Sequence, residues 1–392
     1  MTTRPAFLSD PALCAVLDAL PRARVVGGAV RDHLAGRPVA DIDLATPDPP
    51  EAVIAALTAA GIKAVPTGLA HGTVTAVAGG RGFEITTLRV DVETDGRHAV
   101  VAFTDDWQAD AARRDFTFNA MSMDRTGQVH DCFGGAADLK AGITRFVGDP
   151  AQRVAEDYLR VLRYFRFHAR YGSHPPDPAT RAALRDAVPH LAGLSAERVW
   201  HELRRILAVP DPRRALALMA CLGVLAAVLP EGFDLARLDR LVSVGAPADP
   251  LLRLAALLDG DDGALADRLR LANTERERLR ALRQGPVPAP TDDDDALRRA
   301  LAEADGALLV DRCWLADDGS PGWAGLRARL SGMPRPVFPL VGRDVVARGV
   351  APGPAIGRLL AEVRSWWLEG GCVASRAACL DRLDTLLAAD PG

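Results

Sequence analysis

At an ordinary ~100–200 residues per domain, a chain of 392 residues holds two to four domains. Its 48% hydrophobic and 25% charged residues suit a globular protein with a sizeable core, and its Gly and Pro content is too low for a collagen-like or low-complexity chain. A formal net charge of −4 excludes a uniformly basic nucleic-acid coat and leaves only a local basic groove. All but two of the 47 basic residues are arginine, the exceptions being Lys63 and Lys140. The six cysteines are scattered, with no C-x-x-C and no His-rich tract, which points to reduced thiols rather than a zinc site or disulfide framework. Met1-Thr-Thr-Arg-Pro5 lacks the basic stretch and apolar run of a signal peptide. The longest uncharged apolar stretch, Ala215 to Leu229, contains Gly223 and falls short of the ~18–20 residues of a membrane span. The expectation is a soluble, cytoplasmic protein with no membrane partner.

In chain order, the pattern predicts a helix over Pro11–Leu20, a strand over Ala23–Val26, a strand over Asp41–Ala45 and a helix over Pro50–Ala60. Strands follow over Gly72–Val77 and Phe83–Val90, with Phe116–Asp124 as an ambiguous candidate. This mixture predicts an α/β or α+β domain. From about Pro150 onward the strand signal fades into arginine- and leucine-rich helices. Val154, Tyr158, Val161, Leu162 and Phe165 mark one apolar stripe, and Leu203, Ile206 and Leu207 belong to another. Thr274-x-x-Glu277 fits a capping box. Gly285-Pro-Val-Pro-Ala-Pro290, followed by Asp292 to Asp295, reads as a linker into a last segment.

The densest chemistry is Val25-Val-Gly-Gly-Ala-Val-Arg-Asp32 followed by Asp41-Ile-Asp43. In a strand, residues i and i+2 share a face, so Asp41 and Asp43 would project together. Two adjacent carboxylates repel, and a hard divalent cation relieves that repulsion while keeping sites for phosphate oxygens. Such a pair suits phosphoryl or nucleotidyl transfer with two metal ions. A bare D-x-D is more often a solvated strand end, but here a glycine turn precedes it. Backbone N–H groups at Gly27-Gly28 and the start of the next helix favour a triphosphate, and Arg31 would complete the clamp. Neither the dinucleotide nor the P-loop glycine fingerprint occurs in this segment.

A second constellation is Glu156-Asp-Tyr-Leu-Arg160-Val-Leu-Arg163-Tyr-Phe-Arg166, read as one helix on which Asp157, Arg160, Arg163 and Arg166 form a ridge. Asp157 is an acceptor and Arg160 a donor. Cytosine and adenine both present an exocyclic amine beside a ring-nitrogen acceptor, so this pair mirrors C and A and leaves unpaired groups against U and G. Read alone, the pair is equally an exposed i,i+3 salt bridge. In Asp110-Ala-Ala-Arg-Arg-Asp-Phe-Thr-Phe-Asn-Ala-Met121, Arg114 is a candidate for phosphate binding and Asp115 for orienting an arginine. Alternation in Phe83-Glu-Ile-Thr-Thr-Leu-Arg89 makes Glu84 either a third carboxylate at the metals or part of a polar edge.

Together, Gly27–Asp32, Asp41–Asp43, His71-Gly-Thr73, Glu84–Arg89, Arg113–Thr117, Glu156–Arg166, Leu194-Ser-Ala-Glu-Arg-Val199, Gly342-Arg-Asp344 and Pro352-Gly-Pro354 resemble the class II tRNA nucleotidyltransferases. This family comprises CCA-adding enzymes and bacterial poly(A) polymerases. The resemblance spans nearly the whole chain. It implies a polymerase-beta-like nucleotidyltransferase head of α/β (α+β) class over 1–148. An all-α neck (149–210), body (211–285) and tRNA-binding tail (291–392) would follow, in a seahorse-like arrangement. It implies Asp41 and Asp43 as Mg²⁺ ligands in a two-metal site; the expected catalytic set is these two, with Glu84 the third candidate carboxylate from strand alternation. Gly28, Arg31, Arg114, Asp157, Arg160, Arg163 and Arg166 would bind nucleotide. The implied partners are tRNA, ATP and CTP, with the oligomeric state open between monomer and homodimer. The implied activity is addition of C, C and A to the tRNA 3′ end with release of pyrophosphate.

Two positions depart from the family pattern: Tyr158 stands where a small residue or proline is usual, and Phe118 where an aliphatic one is. Val90 to Trp107, with Asp95-Gly-Arg97, lies where the family carries the loop that governs the CTP-to-ATP switch. Leu254-Ala-Ala-Leu-Leu-Asp259 lacks the histidine of a phosphohydrolase motif, so no second, phosphatase activity is expected. The chain ends Leu-Leu-Ala-Ala-Asp-Pro-Gly392 without a basic extension, which tilts the expectation from poly(A) synthesis toward tRNA end repair. The alternatives are a CC-adding or A-adding enzyme or a poly(A) polymerase of the same family, a small-molecule adenylyltransferase, and a non-catalytic RNA-binding protein.

Overall fold

A seven-stranded mixed sheet organises the first part of the chain, in the order β3-β4-β5-β2-β1-β8-β9. Its strands are β1 (Arg24–Val26), β2 (Asp43–Thr46), β3 (Lys63–Gly68), β4 (Thr73–Ala78), β5 (Arg81–Thr87), β8 (Ser122–Met123) and β9 (Val129–His130). A separate two-stranded ladder joins β6 (Arg89–Thr94) to β7 (Ala99–Phe103). The computed structural model describes residues 5–94 and 99–389, so the Asp95-Gly-Arg97 tip of the expected switch loop lies outside the described residues. By contact density the chain divides into two compact units, Met1–Pro230 and Glu231–Gly392.

Helices α1 (Pro11–Ala19), α2 (Gly28–Leu34) and α3 (Pro50–Ala59) belong to the sheet domain, with α4 (Trp107–Ala112) and α5 (Gly135–Ala141). Only β2 and β5 pair in parallel; the other ladders of the sheet are antiparallel. β2 begins at Asp43 rather than at the expected Asp41, and Asp43 is the ladder partner of Val26, the last residue of β1. Past Val26 the chain turns at Gly27, and nothing remains on β1 to pair with Asp41. The ambiguous Phe116–Asp124 segment is mostly a 3₁₀ turn, Thr117–Asn119, and only Ser122–Met123 is strand. Gly135 packs against this turn so closely that a Cβ there would lie 2.2 Å from the Thr117 carbonyl oxygen.

After His130 the described residues contain no further named strand. The first unit continues with α6 (Pro150–Glu156), α7 (Leu159–Tyr171), α8 (Pro178–Asp186), α9 (Ala196–Leu207), α10 (Arg213–Cys221) and α11 (Val224–Val228). The uncharged Ala215–Leu229 run is split between α10 and α11 at Gly223, where φ is +81°. The second unit is built from α12 (Leu235–Ser243) through α21 (Arg376–Ala389). Its cores include one cluster around Leu297, Leu309, Cys313 and Leu330, and another around Val345, Val363, Trp367 and Leu383. Trp367 is buried in the latter and Trp366 packs half-buried against it.

Aspartates cap helix after helix: Asp10, Asp149, Asp177, Asp249 and Asp305 each accept from backbone N–H groups of the following first turn. Part of the chain's acidity therefore serves local structure. The expected box at Thr274–Glu277 is displaced. Helix Asn273–Arg283 is capped at Ala272, whose N–H donates to Glu275 at 3.3 Å. Alanine has no acceptor to return the bond, so the motif is one-sided. No helix among the described residues is long and apolar enough to cross a membrane.

Candidate active site

The sheet register brings the glycine turn and the carboxylates together. Asp43 lies between Val26 of β1 and Glu84 of β5, and Gly27 follows Val26 directly. Gly27 has φ 62° and ψ −118°, a left-handed φ that disfavours a side chain, and it opens α2. Asp43 is exposed at its surface, yet the protein around its carboxyl thins its hydration, and this first, then the negative charges of Glu84 and Asp41, push it above its ordinary value against the opposing charge of Arg114. Glu84 and Asp41 thus both act on Asp43 at the end of the sheet. Among the described residues, no three His, Cys, Asp or Glu side chains stand close enough to enclose a metal ion on their own.

Next to this end of the sheet is a cavity of about 420 Å³. Gly28, Arg31, Asp43, Arg114, Asp157, Arg160 and Arg163 line it, with Asn119, Phe167 and Arg198 among the others. A second cavity of about 570 Å³ adjoins it, sharing Gly28, Arg31, Asp43 and Phe167. Asp41 and Arg166 line only this second one, together with Arg37, Arg170 and Arg205. Glu84 lines neither and reaches the site through its ladder position beside Asp43. Apart from Glu84, the expected site residues therefore line two adjoining cavities that meet at Gly28, Arg31, Asp43 and Phe167.

The arginines are held by a network of internal partners. Arg31 donates to Asn119 Oδ1 at 2.6 Å and to Asp32 at 3.1 Å, and its guanidinium lies 5.0 Å from the Phe167 ring centre. Arg114 pairs with Asp110 at 3.2 Å. Arg163 donates from Nε to the buried Asp115 at 2.7 Å. Burial alone would raise the Asp115 carboxyl, but the Arg163 charge and hydrogen bonds from Asn119 and Arg163 hold it below its ordinary value. Arg166 comes within 2.8 Å of the buried Glu202 without the alignment of a hydrogen bond. Burial draws the Arg166 guanidinium down to about 10, against the raising effect of Glu202.

The recognition segment differs from the single helix expected. The chain breaks between α6 and α7, and Asp157 sits in the break with φ −156° and ψ 104°. Its Oδ1 accepts from the Leu159 N–H at 3.1 Å, as a short acidic side chain does when it competes for helix-terminal donors. Its Oδ2 accepts from Arg198 Nη2 at 2.6 Å. Arg160 is paired with Glu156 instead, and its Nη1 also donates to the Arg153 carbonyl at 2.7 Å. Asp157 and Arg160 are thus not a salt-bridged i,i+3 pair on one ridge, although both face the same cavity. Tyr158 stacks on His190 with ring centres 4.2 Å apart and planes 9° from parallel.

An aromatic cluster seats α7 against the sheet domain. Phe116 and Phe118 meet Phe167 at 5.2 and 5.4 Å between ring centres, and Phe146 lies 4.9 Å from Phe116. Phe118 is fully buried here, so its bulk is used in packing beneath the cavity. Sequence pattern assigns no role to Asn119, Glu156, Arg198 or Glu202. Arg198 and Glu202 lie on a strongly amphipathic helix where charge reads as solvated surface, yet Glu202 is buried. Asn119 carried no charge signal at all.

A mixed sheet with carboxylates at a glycine turn, followed by an arginine-bearing helix over one cavity, defines a polymerase-beta-like nucleotidyltransferase. Residues 23–145 match the Poly A polymerase head domain, and residues 175–235 match the probable RNA and SrmB-binding site of polymerase A. The mouse and human proteins named CCA tRNA nucleotidyltransferase 1, mitochondrial, are each 38% identical, with alignments covering 89% of this chain and 83% of each relative. The crystal structure of the Bacillus stearothermophilus CCA-adding enzyme in complex with CTP is similar, at a TM-score of 0.78 and 28% identity over 97% of this chain and 98% of that one. The chain belongs to the CCA tRNA nucleotidyltransferase family.

Proposed function

We propose that this protein adds C, C and A to the 3′ end of tRNA from CTP and ATP, releasing pyrophosphate at each step. The observation that carries the reading is the single cavity lined by Gly28, Asp43, Arg31 and Arg114 at one side and by Asp157 and Arg160 at the other. Phosphate groups and a base edge can be held there at once, with no nucleic-acid template needed.

In this reading the Gly27-Gly28 turn and Arg31 and Arg114 bind the triphosphate. Asp157 accepts from the exocyclic amine of C or A, and Arg160 donates to the adjacent ring nitrogen. Glu156 and the Arg153 carbonyl hold Arg160 from behind, so its guanidinium meets the base with little ordering left to do. Arg163 and Arg166, each anchored on a buried carboxylate, stiffen the same helix. Asp41 and Asp43 fit Mg²⁺: they are hard oxygen donors, and at Asp43 the negative charges of Asp41 and Glu84 are opposed by Arg114. When bound, divalent cations supply neutralising charge for the transferring phosphate and for the attacking 3′ oxygen. The head (1–148), neck (149–210), body (211–285) and tail (291–392) then share the work of catalysis, nucleotide selection and tRNA binding. A cytoplasmic site of action is part of the proposal, and fractionation of the source cells tests it.

The direct test is incubation with tRNA ending at the discriminator base and each NTP, singly and combined. The expected products are two added C residues with CTP alone and a single CCA end with CTP plus ATP. A lengthening A ladder would mean a poly(A) polymerase, and CC or A alone a partial enzyme. RNA binding without incorporation would leave only a non-catalytic role.

A further inference from the structure

We infer that Arg198 is a positioning residue for base selection, acting by fixing the orientation of the Asp157 carboxylate. The inference rests on the proposed role of Asp157 in reading the base. Asp157 lies in the break between two helices, so no regular backbone holds its side chain. Two donors do so instead. The Leu159 N–H holds Oδ1 at 3.1 Å and Arg198 holds Oδ2 at 2.6 Å. A carboxylate has about four lone-pair directions, so each oxygen keeps one free for a ligand while the plane of the group is set.

The partner that sets this plane is itself rigidly mounted. Arg198 belongs to the first turn of α9, whose Val199, Trp200, Leu203 and Ile206 are buried. The same helix carries Glu202, which meets Arg166 of α7, so α9 contacts the recognition segment at two charged points. Arg163 also faces Asp157 electrostatically, but its guanidinium is bonded to Asp115. Among the described residues, Arg198 is the cation that directly contacts the Asp157 carboxylate, and it lines the same cavity.

Without Arg198, Asp157 keeps a single hydrogen bond and turns about its side-chain torsions. The acceptor direction that matches the amine of C or A is then no longer selected. An ordinary half-exposed salt bridge predicts something else: a small stability change and no effect on base choice.

The test is single-turnover incorporation of all four nucleotides into tRNA by wild type, Arg198→Met, Arg198→Lys, Asp157→Ala and the Asp157→Ala/Arg198→Met double variant, with thermal melts of each. We expect Arg198→Met to lower the preference for CTP over UTP and for ATP over GTP by roughly tenfold or more. Arg198→Lys, which keeps a charged donor without the planar guanidinium, restores part of it. The double variant discriminates no worse than Asp157→Ala, because Arg198 acts through Asp157. If the methionine variant fails to fold, Arg198→Gln carries the same comparison. Wild-type discrimination in Arg198→Met overturns the inference while leaving the Asp157 reading intact. A further drop in the double variant overturns it too, by making Arg198 a direct reader of the base. Unchanged discrimination in Asp157→Ala removes both readings together.

Discussion

Arg31 and Asn119, 88 residues apart in sequence, are joined by a 2.6 Å hydrogen bond from Nη1 to the amide oxygen. The Asn119 amide nitrogen then donates to Asp115 at 2.9 Å, and the other Asp115 oxygen accepts from Arg163 at 2.7 Å. A continuous hydrogen-bonded chain thus runs from the helix after the glycine turn to the recognition helix, beneath the cavity both of them line. Asn119→Leu cuts this chain at its centre and leaves a buried carboxylate and an arginine each short of one partner. We expect KM for CTP and ATP to rise together by roughly tenfold, with unchanged preference over UTP and GTP, and stability to fall by about 1–3 kcal/mol. Steady-state kinetics with all four nucleotides, beside a urea titration, check this; a change confined to one base would contradict it.

Asp41→Ala and Asp43→Ala each remove a carboxylate from the end of the sheet without touching the core. Incorporation is expected to fall by on the order of 10³-fold or more, since charge stabilisation at the transferring phosphate supplies several kcal/mol. The melting temperature and tRNA affinity should stay near wild type. Asp43→Ala relieves repulsion from Asp41 and Glu84, so it is expected to be the more stable of the two. Near-normal incorporation by either variant in saturating Mg²⁺ would remove that residue from the catalytic set.

RNA binding by a chain of net charge −4 must come from a local positive field. Arg37, Arg170 and Arg205 line the cavity that also holds Asp41, and Arg214 lies nearby, donating to the Ser173 carbonyl at 2.7 Å. Affinity for tRNA should fall steeply and linearly on a log–log plot against salt. Arg205→Ala should weaken binding and reduce the slope by about 1, as one phosphate contact is lost. Filter binding at four or five salt concentrations decides the point, and a flat dependence would rule out this groove.

His168 is buried and its Nδ1 has no hydrogen-bond partner, and burial first, then the Arg214 charge, draws it down to about 4. The fold holds this imidazole neutral. Its contribution is therefore complete above the unfolded value near ~6.5 and is lost as pH falls toward about 4. Lowering the pH from 7.5 to 4.5 should cost the wild type roughly 2–3 kcal/mol more than it costs His168→Phe, by that linkage. Denaturant unfolding of both proteins at the two pH values measures the difference, and parallel losses would place the sensitivity elsewhere.

Much of the site was legible because its signals are local. Gly27-Gly28 and Asp41-Ile-Asp43 state their chemistry within a few residues, and both stand at the end of one sheet. Strand limits were less legible. Asp41 falls before β2, and the end of β1 at Val26 opposite Asp43 is something no pattern around Asp41 records. The helix break at Asp157 is a similar case. Helical periodicity ran through Glu156 to Arg166 unbroken, but a side chain able to bond the Leu159 N–H ended one helix and began another.

What the sequence by itself determined was the class of chemistry, the order of its motifs and the change from mixed sheet to helices, because turns, charge pairs and periodicity follow from backbone geometry over a few residues. What only the tertiary structure decided was partnership. Asp157 is held by Arg198, 41 residues away, and Arg31 by Asn119, 88 residues away. Such partners are chosen by the packing of α9 on α7 and of the Phe116–Phe118 segment on Phe167. A hydrogen bond depends on the final position of both its groups, and that position is set by every element packed between them.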